Sequence, residues 1–362
     1  MASSFGNQFK VQIFGQSHGE KIGVVLDGVP AGIKLDMDEI NAMIDRRKGG
    51  KNAYSTARSE SDIPHIVSGV VNNVTCGGAI CALFDNSNTR SGDYKKSEDL
   101  LRPSHADFTA WVKYDGFQDR SGGGFFSGRL TLPQVFAGAV CKQILRAHGI
   151  EIFGHVAQIG DIKDDLFDPV SVKPVSFQTQ FPALNEEKGK EMVQFMEQVA
   201  REGDSVGGII ECAVTGMPVG IGEPLFDNLE SHISRCIFTV PAVKGIEFGM
   251  GFEGVLKKGS EVNDPYALSD GKVVTTTNYS GGIAGGISNG MPIVFKVAMK
   301  PTPSIYKEQK TVDFKTKEET VLQINGRHDP CIVPRALPCI EAAAAMAIYD
   351  LFLISKCTKP GI

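Results

Sequence analysis

A histidine loop and the glycine turn that follows it carry the residue types best suited to chemistry in this chain. The loop reads Arg102-Pro-Ser-His-Ala-Asp107, and the turn reads Gly122-Gly-Gly-Phe-Phe-Ser-Gly-Arg129. Glycines let backbone N–H groups approach an anion closely, and arginines donate in a planar fork that matches carboxylate or phosphate. These residues together indicate a site for a small ligand with several negative charges.

Three histidines stand in short polar loops, at His18 in Gly15-Gln-Ser-His-Gly19, at His105, and at His328 in Gly326-Arg-His-Asp-Pro-Cys331. An imidazole can donate a proton to a leaving group or hold charge beside an anion. Each could equally be an ordinary hydrogen-bonded residue of a turn. Asp329 could accept a proton or simply pair with an arginine. The residues alone leave these alternatives open.

The elements that must position these loops are mixed helices and strands without a regular βαβ period. Apolar spacing predicts strands at residues 9–14, 64–71, 78–84, 151–157, 206–214 and 292–299, and helices at 36–47, 133–149, 185–201, 227–238 and 336–354. Asp36, with Glu39 three residues later, predicts the start of the first helix. No Gly-x-Gly-x-x-Gly follows a first strand, which disfavours a dinucleotide-binding fold. We expect one large α+β domain over residues 1–362.

Composition and charge exclude several classes of function. The chain has 362 residues and a formal net charge of −5, so no basic excess indicates nucleic acid or an anionic membrane surface. The apolar stretch 336–354 carries Glu341 and Asp350, which predicts a buried core helix instead of a membrane span. None of the eight cysteines forms a Cys-x-x-Cys pair and no zinc-ligand spacing is present, so we expect no metal. Without a secretory pattern, we expect a cytoplasmic protein with free, buried thiols.

Eight ordered sequence blocks resemble those of the chorismate synthase family, from residue 6 to the final helix. The blocks are Phe14-Gly-Gln-Ser-His-Gly19, Asp45-Arg-Arg47, Ala53-Tyr-Ser-Thr-Ala-Arg-Ser-Glu-Ser-Asp62, Arg102-Pro-Ser-His-Ala-Asp107, Gly122-Gly-Gly-Phe-Phe-Ser-Gly-Arg129, Gly203-Asp-Ser-Val-Gly207, Ala242-Val-Lys-Gly-Ile-Glu247 and Gly326-Arg-His-Asp-Pro-Cys331. Their shared order and spacing make the resemblance specific to this family.

The resemblance implies a β-α-β sandwich fold and an unusual lyase reaction. The family removes phosphate from C3 and hydrogen from C6 of 5-enolpyruvylshikimate 3-phosphate by a 1,4-anti elimination, giving chorismate for aromatic amino acid biosynthesis in the shikimate pathway. The reaction needs reduced FMN although it causes no net redox change. NADPH would enter only indirectly, through a separate flavin reductase that supplies the reduced flavin. The family also assembles as a homotetramer.

Matched positions give the residue roles that the resemblance implies. The catalytic residues would be His18 at the departing phosphate, His105 beside the flavin, and Asp329 as a proton relay from the flavin. The substrate contacts would be Ser17, Arg46, Arg47, Ser127, Arg129 and Arg335, with Arg47 also at a position associated with NADPH approach. The flavin contacts would be Phe125, Phe126, Ser127, Pro241, Ala242, Gly285, Lys300, Pro301, Thr302, Pro303, Ser304 and Arg327.

Some positions depart from the common family pattern. The family usually has Arg-Ser where this chain has Phe125-Phe126, which favours backbone N–H groups of the turn, or ring packing, as the contact to FMN there. Two rival functions follow from the resemblance: a bifunctional synthase that reduces its own FMN with NADPH, and a non-catalytic anion-binding relative. The absence of an evident insertion disfavours the first, and the retained His18, His105 and Asp329 disfavour the second.

Overall fold

Segments with alternating polar and apolar residues form the strands. Segments with helical spacing form the helices of the layer between the sheets. The computed structural model describes residues 3–50, 55, 60–86, 99–175, 181–324 and 328–358. The helices are α1 Met37–Arg47, α2 Asp107–Tyr114, α3 Thr131–Arg146, α4 Glu186–Arg201, α5 Leu229–Ile237, α6 Gly259–Val262 and α7 Val333–Thr358. Short 3₁₀ turns lie at Gly124–Phe126, Gly128–Leu130, Leu225–Asp227 and Gly251–Leu256.

The described strands form two five-stranded sheets and four small hairpins. They are β1 Ser4–Phe5, β2 Lys10–Gly15, β3 Lys21–Asp27, β4 His65–Ser68, β5 Val70–Val71, β6 Val74–Thr75, β7 Ile80–Asp85, β8 Glu151–Ile159, β9 Ile162–Lys163, β10 Gly208–Thr215, β11 Val243–Phe248, β12 Tyr266–Ser269, β13 Lys272–Thr275, β14 Ile283–Ala284, β15 Ile287–Ser288, β16 Ile293–Met299, β17 Gln309–Val312 and β18 Glu319–Leu322. The sheet orders are β1-β2-β3-β7-β4 and β11-β16-β10-β8-β9, with antiparallel pairing throughout.

A layer of helices lies between the two sheets. α3 contacts β2, β3 and β7 of the first sheet and β8 of the second, and α7 packs on α3, α1, α5, β8 and β10. α3 and α7 cross closely, because a Cβ added to Gly138 would lie 2.3 Å from the Cα of Ala342. The predicted α+β class is confirmed, and the sheet–helix–sheet order agrees with the expected sandwich. The prediction of a single domain over residues 1–362 stays a prediction.

α7 is the central element of this core. By length and composition it is the one helix within the described ranges that could cross a membrane, but 89% of its most apolar window is buried inside the fold. Its buried Asp350 accepts hydrogen bonds from the backbone N–H groups of Asn7, Gln8 and Phe9, and it contacts Nε2 of His232. The helix therefore anchors the N-terminal segment, as expected of a core helix.

Local signals in the sequence were dependable at helix starts. Asp36 accepts from the backbone N–H groups of Asp38 and Glu39 directly before α1, as predicted.

All eight cysteines are free, as expected, but the expectation of burial is wrong for Cys76 and Cys357, which are exposed. Strand β11, helix α2 and the hairpins β12–β13 and β17–β18 were not predicted, because their short segments lack a clear apolar period.

Candidate active site

Four cationic and three acidic side chains line one cavity between α1, the glycine turn and the start of α7. This arginine cavity has a volume of about 300 Å³, and its charged lining is Arg47, Lys48, Glu60, Asp62, Arg129, Asp329 and Arg335. Ser127, Gly128, Thr131, Val240, Pro241, Thr302 and His328 also line it. The predicted catalytic Asp329 thus lines the same cavity as four predicted substrate contacts, Arg47, Ser127, Arg129 and Arg335.

A buried carboxylate joins two of these arginines. Asp62 accepts from Nη1 of Arg129 in a short contact and from Nη1 of Arg47 at 3.1 Å. All three side chains are at least nine-tenths buried. Burial lowers the pKa of Arg47 to about 10, with the charge of Asp62 acting in the opposite direction. We call Arg47, Asp62 and Arg129 the cavity cluster.

A second ion pair closes the other side of the cavity. Nη1 of Arg335 donates to Oδ2 of Asp329 at 2.5 Å, and its Nε donates to the backbone carbonyl of Arg47 at 2.9 Å. Arg335 lies in the first turn of α7, and Asp329 lies just before that helix. The beginning of α7 therefore places a carboxylate and a guanidinium in the cavity lining, with Arg335 in contact with the backbone of Arg47.

Arg46 points away from the cavity, although it was predicted to contact substrate together with Arg47. Its guanidinium donates to both carboxylate oxygens of Glu341 on α7, at 2.9 and 2.7 Å. Lys142 on α3 donates to the same carboxylate at 2.9 Å. Consecutive residues of a helix lie about 100° apart, so Arg46 and Arg47 cannot face the same partner. Arg46, Lys142 and Glu341 are called the helix-layer cluster, and the role predicted for Arg46 stays a prediction.

His18 lies against the glycine turn and not in the arginine cavity. Its Nδ1 is 2.9 Å from the Oγ of buried Ser17, which in turn donates to the carbonyl of Ser121 at 3.2 Å. A Cβ added to Gly122, whose φ is +66°, would lie 2.3 Å from Cε1 of His18. The glycine at this position therefore permits the close contact between the histidine loop and the turn.

His105 approaches the same turn from the opposite side. It lines a small cavity of about 90 Å³ with Gly122, Gly123 and Phe126, here called the histidine cavity. Its Nε2 is 2.7 Å from the Oγ of Ser304. Burial, followed by the positive charge of Arg102, lowers the pKa of His105 to about 4. His105 is therefore a neutral imidazole near pH 7.

Four of the twelve predicted flavin contacts line a third cavity, and several others lie on the neighbouring loop 300–304. The phenylalanine cavity has a volume of about 530 Å³ and is lined in part by Phe125, Phe126, Ser127 and Pro241. It shares Ser127, Thr131 and Pro241 with the arginine cavity. The loop 300–304 lies alongside, because the N–H of Lys300 donates to the carbonyl of Ala242 at 2.9 Å, and Ser304 contacts His105. Three cavities thus surround one glycine turn.

Two predicted flavin contacts do not join this group. Gly285 lies in the turn of the β14–β15 hairpin, where the neighbouring Gly286 packs against Asn228 at the start of α5, and it lines none of the three cavities. Arg327 lies outside the described residues. Their roles stay predictions that rest on the resemblance.

Sequence reasoning assigned no role to three residues that shape the arginine cavity. Asp62 was quoted as part of a motif but given no role, and Thr131, whose Oγ1 accepts from Nε of Arg47 at 2.8 Å, was not noticed. His328 was noticed, but its Nε2 is buried without a hydrogen-bond partner among the described residues, as is Oγ1 of Thr302. The only sequence signal for Asp62 was an acidic residue at the end of the block 53–62, which is otherwise rich in serine.

Comparison with known proteins gives a consistent result across nearly the whole chain. The family model described as chorismate synthase matches residues 9–353. A chorismate synthase of Dehalococcoides mccartyi is 45% identical over 353 residues, covering 98% of this chain and 97% of the relative. The chorismate synthase of Pyrococcus abyssi is 44% identical over 351 residues, covering 97% and 98%.

A solved structure agrees with these relatives. The crystal structure of a chorismate synthase matches with a TM-score of 0.76 and 27% sequence identity, over 97% of this chain and 93% of that chain. The agreement therefore includes the sheet and helix arrangement that positions the three cavities. The chain belongs to the chorismate synthase family.

Proposed function

We propose that this protein releases phosphate from 5-enolpyruvylshikimate 3-phosphate by 1,4-anti elimination, giving chorismate, with reduced FMN as its cofactor. The observation that carries the proposal is the arginine cavity, where Arg47, Arg129 and Arg335 share one small volume with Asp329. A chain of this family with these side chains in one cavity has the charges that such a substrate needs. The chemistry is that of a carbon–oxygen lyase.

The charge of the substrate matches the lining of the cavity. The substrate carries two carboxylates and a phosphate of roughly −1.5 to −2 charge. Guanidinium groups bind such oxyanions through pairs of charge-assisted hydrogen bonds, which are stronger where water is excluded. Arg47 and Arg129 are both buried and line the cavity, so their donors act in a poorly hydrated site. Binding and orientation of the anionic groups are therefore assigned to these arginines.

Two histidines and one carboxylate would handle the protons of the reaction. Ser17 fixes one ring nitrogen of His18, which sets the orientation of the imidazole beside the turn. His18 would then donate a proton or a hydrogen bond to the leaving phosphate. His105 is held by Ser304 as a neutral group, which makes it a hydrogen-bond partner instead of a second cation. Asp329, oriented by Arg335, is the carboxylate available to accept a proton.

The residues around the phenylalanine cavity fit a flavin. Phe125 and Phe126 expose about half of their surface there, which offers an apolar wall for a ring system. Oγ1 of Thr302, which lines the adjoining arginine cavity, is a buried polar atom without a partner among the described residues, of the kind that a bound ligand can satisfy. Phe125, Phe126, Pro241, Thr302 and Ser304 would hold the cofactor. When bound there, reduced FMN would supply electron density for the departure of phosphate without a net redox change.

The remaining elements of the proposal concern assembly and supply of electrons. An association surface is supported by large apolar side chains such as Phe226 at 90% and Phe252 at 77% exposure, and the homotetramer itself is proposed from the family resemblance alone. A separate flavin reductase, with NADPH as the indirect electron source, is proposed from the family resemblance alone. A cytoplasmic location is proposed from the sequence expectation alone. The bifunctional and the non-catalytic alternatives are not favoured by the comparisons.

Phosphate release under anaerobic conditions tests the proposal directly. The substrate would be incubated with reduced FMN, with oxidised FMN, and with oxidised FMN plus NADPH. We expect turnover with reduced FMN alone among the three. Turnover with oxidised FMN plus NADPH would replace the monofunctional proposal with the bifunctional one. Tight substrate binding without turnover in any of the three would support the non-catalytic alternative.

A further inference from the structure

Asp62 is a carboxylate inside a site that must bind anions. It is 3% exposed, and its two oxygens contact Nη1 of Arg129 and Nη1 of Arg47. A negative charge at this place opposes the binding of any phosphate or carboxylate in the arginine cavity. Its position therefore needs an explanation other than ligand binding.

Positioning of the arginines is not a sufficient explanation, because each is anchored elsewhere. Nε of Arg47 donates to Oγ1 of Thr131 at 2.8 Å, and its Nη2 donates to the carbonyl of Gly128 at 3.2 Å. Arg129 has two further anchors, since its Nε donates to Oδ1 of Asn86 at 2.8 Å and its Nη2 to the carbonyl of Asp85 at 3.0 Å. Both guanidinium groups keep two fixed hydrogen bonds without Asp62, and both retain N–H donors for a ligand.

Charge is the property that Asp62 controls. Among the described residues, the lining of the arginine cavity carries Arg47, Lys48, Arg129 and Arg335 against Glu60, Asp62 and Asp329, an excess of one positive charge. Neutralising Asp62 would add one more positive charge to this lining. Two buried guanidinium groups that share one carboxylate are stable without a ligand, whereas the same pair without the carboxylate needs an anion from solution.

We propose that Asp62 is an internal counter-anion that limits the affinity of the arginine cavity for phosphate. It lets Arg47 and Arg129 stay buried and ready when no ligand is bound, and it keeps the hold on phosphate weak enough for release. The inference rests on the proposed function, because there phosphate is a product that must leave before the next turnover.

The substitution Asp62→Asn tests this role with inorganic phosphate as the probe. The side chain keeps its shape, and asparagine tolerates the left-handed backbone of this residue, whose φ is 54°. By isothermal titration calorimetry we expect phosphate to bind at least about tenfold more tightly than to the wild-type protein, because charges at this separation interact strongly in a buried site. In phosphate-free buffer the variant should unfold at a lower temperature, and added phosphate should restore more stability than in wild type.

Two matched variants separate this effect from ordinary consequences of the substitution. Asp270→Asn makes the same change at another left-handed residue, with φ 50°, in the exposed β12–β13 turn. Glu341→Gln neutralises a buried carboxylate that also lies between two cations but lines none of the three cavities. We expect the phosphate affinity of both to stay within about twofold of wild type.

The outcomes decide between a counter-anion and a structural acid. Unchanged or weaker phosphate binding by Asp62→Asn would overturn the proposal. If the variant is unfolded without phosphate, recovery of a folding transition at phosphate concentrations below the wild-type Kd supports it, and no recovery overturns it. Phosphate binding needs no turnover. A wild-type protein that fails to convert substrate would therefore count against the proposed function, whereas the phosphate titration separately decides whether Asp62 limits the affinity of the arginine cavity.

Discussion

The adjacent residues Arg46 and Arg47 belong to two clusters with the same charges and different surroundings. In the helix-layer cluster, Glu341 lies between Arg46 and Lys142, and in the cavity cluster, Asp62 lies between Arg47 and Arg129. Each carboxylate is buried and contacts two cationic side chains. The first is enclosed by α1, α3 and α7, and the second opens onto the arginine cavity.

The difference shows how one arrangement of charges can serve two purposes. Burial alone would raise the pKa of Glu341, but the charges of Arg46 and Lys142 hold that pKa at about 2. This cluster lines none of the three cavities described above, and its hydrogen bonds join α1, α3 and α7. The cavity cluster has the same excess of positive charge next to space for a ligand, so its charge becomes available for binding.

The largest effect is expected in the helix-layer cluster. Glu341→Gln should lower the free energy of unfolding by roughly 3 kcal/mol, because it leaves the largely buried Lys142 beside a neutral amide, whereas Arg46, whose side chain is 42% exposed, stays hydrated. Chemical denaturation measures this loss. Turnover per folded molecule should be unchanged. A rise in the KM for substrate with little loss of stability would instead show that Arg46 contacts substrate, as the family resemblance implies.

An effect on turnover is expected in the cavity cluster. Arg129→Ala leaves Asp62 paired with Arg47, so the fold keeps a balanced buried pair. Phosphate release with reduced FMN should fall by about 10²–10³-fold, the usual loss when one donor to developing charge is removed.

Lys142→Ala is the matched control for Arg129→Ala, because it leaves Glu341 paired with Arg46 in the same way. Its turnover should stay within about threefold of the wild-type rate. Similar losses in both variants would mean that the two clusters do not differ in function, and the comparison would then be wrong.

In both clusters, the sequence predicted the helix and the arginines much better than it predicted which residues they contact. Helix α1, its cap at Asp36 and the motif arginines follow local rules of spacing and composition. The partners do not, since Arg129 meets Asp62 across 67 residues and Arg46 meets Glu341 across 295. Which of two neighbouring arginines faces the cavity depends on the rotation of α1 against α3 and α7, and packing of the whole helix layer sets that rotation.

The smallest effect is in the pH dependence of stability. His105 in the histidine cavity and Glu341 in the helix-layer cluster should contribute to it in different pH windows. The pKa of His105 is lowered from 6.5 to about 4 in the folded protein, so the unfolded chain binds more protons between these values. Stability linked to His105 is therefore complete above pH 6.5 and is lost as the pH falls toward 4. Stability linked to Glu341, whose pKa is lowered from 4.5 to about 2, is lost in the lower window.

Denaturation of His105→Asn across pH 7 to 4 separates these contributions. The variant should lose roughly 1–3 kcal/mol less stability over this range than the wild-type protein, because asparagine has no proton to gain on unfolding. Glu341→Gln should keep the wild-type slope from pH 6.5 to 5, since its missing carboxylate titrates below that range. If His105→Asn and wild type lose stability in parallel, His105 takes up its proton in the folded protein at the same pH as in the unfolded chain, and the lowered pKa assigned above is wrong.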